Sequence, residues 1–375
     1  MELKLDCKFY KGDKPCLHNR FCENCPYYEP MGKRILIIKL GSIGDVLRTT
    51  PLLYGIKNKY PESHITWLTN SESVLMLEGN NLIDRLLVYN LDSALRLQVE
   101  EFGIVINLDK EKNAASLAEL IKAKEKFGYG LNKEGNLYPL NREAEYGFSL
   151  GLLDELKFRV NKKSYQEIIF ETIGLAFGNE EYILNLDKSQ KNFRDNFLNK
   201  RSLNKNDFKI GLNTGCGLVF PYKKWTESGF TELIDILDRK LNVKILLLGG
   251  ANEEMRNKEI LSKTTAKILD TGHNNNLKEF IAIVDCCDLI VTADTLALHL
   301  AIALKKKVVA LFGPTCAQEI ELYGRGIKII SQKKCAPCYK KECFEENTCM
   351  DLITPQEVFS AIERLATYTE VSEKL

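Results

Sequence analysis

No stretch of about 18 consecutive apolar residues occurs in the 375-residue chain, so the sequence offers no membrane-spanning helix. Residues 1–14 alternate charged with apolar side chains and lack the apolar run of a signal peptide. Net charge is almost absent: 52 basic against 51 acidic residues leave +1. No overall field therefore draws the chain to nucleic acid or an anionic membrane, and only a local basic patch or a peripheral membrane contact stays open. Short-period repeats, low-complexity tracts and a G-x-G-x-x-G segment are also missing, and the last absence removes any dinucleotide claim. What remains is ordinary globular material, 45% apolar and 27% charged. At about 150 residues per domain the length predicts two domains and a small appendage, and a cytoplasmic protein is expected.

Cysteine, by contrast, is plentiful. Of the 12, four lie at Cys7, Cys16, Cys22 and Cys25 and four at Cys335, Cys338, Cys343 and Cys349, so the two sets bracket the chain. In a reducing compartment such clusters read as metal ligands or reactive thiols rather than disulfides. The C-terminal spacing, C-x2-C-x4-C-x5-C, suits a compact tetrathiolate site for zinc or iron. The N-terminal spacing, C-x8-C-x5-C-x2-C, has one tight pair and a substitute ligand in His18. Free thiols without metal are the alternative for both. Cys286 and Cys287 abut an apolar strand and read as core, while Cys216 and Cys316 are scattered.

Residues 34–40 are a short apolar run followed by Gly41-Ser42-Ile43-Gly44-Asp45, which predicts a buried parallel strand, a glycine turn and a helix start. Further runs at 64–69, 85–89 and 103–108 alternate with helix-compatible segments such as 113–122. A polar stretch, Asp187 to Asp207, separates this half from a second alternation. Strands are expected there at 208–213, 243–250, 287–292 and 307–312, and helices near 226–240, 252–263, 277–285 and 294–304. The predicted organisation is a cysteine-rich extension over 1–30, a Rossmann-like domain over 31–195, a second over 206–352 and a C-terminal helix over 353–375. Two doubly wound α/β domains facing across a cleft place function in the strand-to-helix loops.

Three such loops carry candidate chemistry. At Gly41–Asp45 the glycines at 41 and 44 admit a close backbone approach, and Asp45 is either a proton acceptor or a helix cap. In the loop 220–227, Thr226 is placed to cap the next helix, with Trp225 and Phe230 forming a hydrophobic staple. Lys223 and Lys224 then stand near a helix N-terminus, suited to phosphate unless they are merely solvated. At Val291–His299 a strand ends and a helix begins, so Thr295 and His299 share one helix face beside Asp294; a satisfied structural histidine is the plainer reading. Leu248-Gly249-Gly250-Ala251-Asn252 supplies another glycine turn, of ligand-approach or plain type.

Taken in order, the segment 37–51, Lys224-Trp225, Thr292-Ala293-Asp294-Thr295 with His299, and Phe312-Gly313-Pro314-Thr315 resemble glycosyltransferase family 9, the ADP-heptose:lipopolysaccharide heptosyltransferases and their relatives. The resemblance covers roughly residues 33–369. It implies a GT-B fold and an inverting, metal-independent transfer of a sugar, typically from ADP-heptose, to a hydroxyl of a glycan, lipid-linked or protein acceptor. On this resemblance Asp45 is the general base and Lys224 meets the donor phosphate. Gly41, Gly44, Thr214, Asn252, Asp294, Thr295 and His299 complete the donor site, and no cofactor serves catalysis. Two positions depart from the family pattern: Leu296 replaces a glycine after Asp294-Thr295, and Asn252 stands where a donor-contacting glutamate is common. The C-terminal cysteines look like the iron-bound finger of autotransporter heptosyltransferases. The competing readings are a nucleotide-sugar epimerase and a metal-thiolate interaction or redox module on a degenerate glycosyltransferase scaffold.

Overall fold

The computed structural model describes residues 2–217 and 219–372. The apolar runs form strands because they are covered on both faces, as in Arg34–Ile38 and Leu289–Ala293. The first sheet comprises β1 (Arg34–Ile38), β2 (His64–Thr69), β3 (Arg85–Val88), β4 (Glu101–Asn107), β5 (Lys122–Leu131) and β6 (Leu137–Pro139). Its order is β3-β2-β1-β4-β5-β6, parallel throughout except for the antiparallel β5–β6 pair. The second comprises β7 (Lys209–Asn213), β8 (Lys244–Leu248), β9 (Ile268–Asp270), β10 (Leu289–Ala293), β11 (Lys307–Phe312) and β12 (Gly326–Ile330). Its order is β12-β11-β10-β7-β8-β9, and every pair is parallel. Both sheets repeat the doubly wound order in which direction reverses between the first and fourth strands of the set, the point where such folds bind ligands.

Strands β5, β6, β9 and β12 do not appear as apolar runs. Segment Lys122–Leu131 reads KAKEKFGYGL, and only pairing with β4 and β6 makes it a strand. Among the described residues no helix is long and apolar enough to cross a membrane.

The chain divides into two compact units that differ from the expected cut near residue 200. One holds Met1–Ser42, Pro51–Phe148 and Ile169–Glu180, the other Ile43–Thr50, Ser149–Ile168 and Glu181–Leu375. The short segment Ile43–Thr50 thus belongs with the second sheet. Its hydrogen bonds supply the reason: Arg48 O accepts from Gln166 Nε2 at 2.9 Å, and Thr50 Oγ1 accepts from Ile183 N at 2.8 Å. The expected C-terminal helix is observed as Pro355–Ser372; residues 373–375 lie outside the described residues. The N-terminal extension, over residues 2–33, carries no helix or strand and only an isolated Cys7↔Pro30 bridge.

Helix Glu227–Lys240 begins as its sequence predicts. Thr226 Oγ1 accepts from Gly229 N at 2.9 Å, and the Trp225 and Phe230 rings meet edge to face at 4.9 Å. Trp225 is buried, and its indole N–H donates to Ile353 O at 2.9 Å, which ties the loop carrying Lys223 to the second unit's core. Trp225→Ala therefore forfeits both packing and that bond, and should cost about 3–5 kcal/mol in urea unfolding followed by circular dichroism, with Trp225→Phe costing clearly less.

Candidate active site

Helix Ile43–Leu47, which carries Asp45, lies directly on His299: a Cβ added at Gly44 would sit 2.6 Å from His299 Cδ2. The absent side chain at Gly44 is thereby explained by packing on the imidazole. Asp45 Oδ1 pairs with Arg48 Nη2 at 2.8 Å, and the carboxylate keeps about a third of its surface exposed while Arg48 is more covered. The guanidinium sits 3.8 Å over the Tyr165 ring. Burial opposes its charge, but Asp45 beside it more than compensates and Arg48 stays protonated. Gln166 Nε2, which donates to Arg48 O, also donates to Tyr182 Oη at 3.2 Å. Tyr182 in turn stacks on His299, with Oη 3.5 Å from Nδ1.

The second sheet's reversal point lies between β7 and β10, and the residues at their carboxyl ends form one polar cluster. Asn213 Nδ2 donates to Gly215 O and Thr292 Oγ1, both at 3.0 Å, and lies 3.3 Å from Thr295 Oγ1. The two threonine hydroxyls are 3.0 Å apart. Thr295 is the N-cap residue of helix Leu296–Ala303, yet its side chain makes no capping bond because it is held by Thr292 and Asn213. The Leu298 amide donates to Thr295 O at 3.1 Å, and the helix start ahead of it has no side-chain cap, the arrangement in which a helix N-terminus takes an external acceptor. Lys223 Nζ donates to Asp294 O at 2.7 Å and lies 3.7 Å from Asp294 Oδ2. Lys223 thus reaches this helix mouth, and Lys224 follows the short turn Pro221–Lys223, its amide donating to Pro221 O at 3.2 Å.

The other predicted residues separate into two groups. Thr214 Oγ1 donates to Asn257 Oδ1 at 2.6 Å behind the same loop. Asn252 sits in the turn Ala251–Glu253, but the buried carboxylate there belongs to the next residue: Glu253 Oε2 accepts from Gly250 N at 3.0 Å, and a Cβ at Gly215 would fall 2.4 Å from Glu253 Cδ. Nothing in the local sequence marks Glu253, since a glutamate in a helix start is ordinary there; its burial under the 214–217 loop is a tertiary fact. Gly41 belongs to the first unit, where its amide donates to Asp109 Oδ2 at 3.0 Å. Asp109 also accepts from Leu40 N and pairs with the buried Lys39, so the first turn's amides are already satisfied by protein.

The cysteine sets depart from the expected single-ion sites. Among the described residues no three His, Cys, Asp or Glu side chains close on a position that could hold a metal ion. Cys335 is exposed, Cys338 and Cys343 are half-buried, and Cys349 is drawn into the core beside Met350. Burial pushes the Cys349 thiol up to about 11, with Cys338, Cys335 and Cys343 adding to the effect. Arg159 nevertheless fastens this finger to its surroundings by donating to Lys334 O at 3.1 Å and Ala336 O at 3.3 Å. Tyr339 from the finger packs against Phe158 and Phe220 and accepts from Cys316 N at 3.2 Å. Cys286 and Cys287 are buried core, as expected.

Residues 91–349 match the model of glycosyltransferase family 9 (heptosyltransferase). The lipopolysaccharide core heptosyltransferase OpsX of Haemophilus influenzae is 24% identical over 303 residues, which cover 76% of this chain and 81% of that protein. Among solved structures, the family 9 glycosyl transferase from Veillonella parvula superposes with a TM-score of 0.69 at 20% identity, covering 89% of this chain and 97% of that one. The E. coli ADP-heptose LPS heptosyltransferase II does so with 0.63 at 19% identity, covering 90% and 99%. The likeness shows the GT-B fold.

The geometry sets the protonation of His299. Burial, with the Arg48 charge next and Lys223 adding to it, pulls its pKa down to about 4 against the opposing carboxylates of Asp294 and Asp45. The unfolded chain takes up this proton near 6.5, so acidification from about 6.5 to 4 favours unfolding, and that contribution to stability is complete only above the window. Histidine NMR should show a neutral His299 imidazole at pH 6 with a midpoint near 4, rising in Arg48→Gln; a midpoint near 6.5 contradicts the assignment.

Proposed function

Because the chain belongs to glycosyltransferase family 9 and is thereby a glycosyltransferase, we propose that it transfers a heptose from ADP-heptose to a hydroxyl of a glycan, lipid-linked or protein acceptor, with inversion and with Asp45 as general base. Relatives named as lipopolysaccharide and lipooligosaccharide heptosyltransferases support the sugar and a glycan acceptor. The observation that carries the proposal is the company of Asp45: a partly exposed carboxylate on a helix that rests on His299, within the unit that also holds Lys223 and the uncapped helix start at Thr295.

In this reading the acceptor hydroxyl gives its proton to the Asp45 carboxylate as its oxygen attacks the anomeric carbon from the face opposite the leaving group. The glycosidic C–O bond breaks with its electron pair going to the diphosphate, and the single displacement inverts the anomeric centre. Charge growing on the departing diphosphate meets the Lys223 ammonium and the helix amides after Thr295, donors held in place before the reaction starts. In this reading neutral His299 serves as a hydrogen-bonding partner rather than a cation, and the donor's hydroxyl groups are assigned to Glu253 under the 214–217 loop. These residues supply proton transfer and charge stabilisation, so the reading assigns no step to a metal. An epimerase would turn over donor alone, and a degenerate scaffold would not bind it; an acceptor requirement and donor binding distinguish the three.

Lys223→Ala should weaken ADP binding in calorimetry by about 10- to 100-fold, the loss of one charge-assisted bond of about 1.5–3 kcal/mol, while Lys224→Ala changes it far less. The reverse ranking would return the phosphate role to Lys224. Asp45→Asn keeps the shape of the side chain and removes its basicity, so turnover with a working acceptor should fall by about 10² to 10⁴ while ADP affinity holds within a few-fold. Near-normal turnover in that variant would leave Asp45 as a partner of Arg48 only.

A further inference from the structure

The N-terminal extension keeps a defined path through turns, a Tyr28–Asp6 hydrogen bond and a Phe9–His18–Tyr27 ring stack, but without an apolar core. Residues 2–33 contain no helix or strand, one isolated bridge between Cys7 and Pro30, and only one buried residue up to position 34, which is Cys7 itself. Leu5, Leu17 and Phe21 are exposed. A segment of about 30 residues without an apolar core does not offset its own ordering entropy unless something cross-links it.

The backbone is organised around the four cysteines. Each one's carbonyl opens a tight turn: Cys7 O accepts from Tyr10 N, Cys16 O from Asn19 N, Cys22 O from Cys25 N and Cys25 O from Tyr28 N, at 3.0–3.3 Å. Two of these turns pass through left-handed residues, Asn19 with φ 47° and Asn24 with φ 53°. All four cysteines line one cavity of about 320 Å³. Lys4, Lys11, Lys14 and Arg20 line it as well, against the single carboxylate of Asp13, and Lys4 is paired with Glu2, which leaves a net cationic setting for an anionic occupant. His18 also faces it, its ring held between Phe9 at 4.7 Å and Tyr27 at 4.2 Å, with Nε2 shut from solvent and without a partner.

We propose that Cys7, Cys16, Cys22 and Cys25 hold a four-iron, four-sulfur cluster in this cavity, with His18 Nε2 turned to it. Two alternatives fit less well. A single zinc needs thiolates at about 2.3 Å from one point, whereas these four cysteines line a cavity of about 320 Å³. Disulfides would join the cysteines in pairs, yet all four are free and arranged around a hollow. Cysteine-only ligation by four thiolates is the ordinary mode for the cubane cluster, and nearby cations balance its negative charge. The cluster then provides the cross-link that the extension lacks.

The test is anaerobic isolation of the full chain, followed by iron and acid-labile sulfide analysis and absorption near 400 nm. About four iron and four sulfide per chain are expected, with the chromophore lost in Cys22→Ser/Cys25→Ser and kept in Cys335→Ser/Cys338→Ser. Calorimetry with ADP monitors the fold of the second unit in both variants. If the first double variant fails to fold, the wild-type chain decides: alkylation and mass spectrometry should find Cys7, Cys16, Cys22 and Cys25 protected as isolated and labelled once the cluster is oxidatively destroyed. Zinc without sulfide, a disulfide among the four, free labelling of all four as isolated, or a chromophore that follows Cys335 and Cys338 instead would overturn the proposal.

Discussion

The backbone of helix Ile43–Leu47 can lie on the His299 ring because position 44 has no Cβ; a methyl there would stand 2.6 Å from Cδ2. That contact joins a segment from the start of the chain to the helix that follows β10, and the rest of the candidate site depends on it. It fixes where Asp45 is presented. It also covers the imidazole, which keeps His299 neutral under ordinary conditions, and it leaves Arg48 enclosed between Asp45 and the Tyr165 ring. Any side chain at 44 would have to displace the ring and, with it, the stack on Tyr182.

The two sheets share one strand order but use their reversal points differently. In the first unit Asp109 takes the amides of Leu40 and Gly41 and pairs with buried Lys39, so the glycine turn is satisfied from within. In the second, Thr295 is held sideways by Thr292 and Asn213, and the helix start lacks a side-chain cap. A helix start is an anion site only when its amides have no internal acceptor. The same topology therefore yields a turn closed by a carboxylate in one unit and a helix start without a side-chain cap in the other.

The cysteine sets differ in a similar way. The C-terminal finger is bound into the second unit by Cys349 in the core, by Arg159 on two finger carbonyls and by Tyr339 beside Phe220, so packing alone can hold its course. The N-terminal set has turns and a cavity but no core. Segments of equal cysteine content thus make different demands on a ligand, because one can bury apolar surface and the other cannot.

Much of this was legible in the residues themselves. Short apolar runs bounded by glycine turns identified the central strands, since a strand covered on both faces must be apolar throughout. The Thr226 cap with its Trp225–Phe230 staple followed from local spacing, as did the placing of Asp45, Asp294, Thr295 and His299 at strand ends. Other features needed distant partners. The edge strand β5 is charged and forms through its pairing with β4 and β6, and Glu253 is buried by a loop forty residues earlier in the chain. The reach of Lys223 depends on how a single turn faces Asp294. Periodicity and capping are encoded within a few residues, so the sequence alone determined the elements and the candidate loops. Side-chain direction and burial arise from contacts tens of residues apart, and the assignment of Ile43–Thr50 to the second unit from contacts more than a hundred apart, so only the tertiary structure decided them.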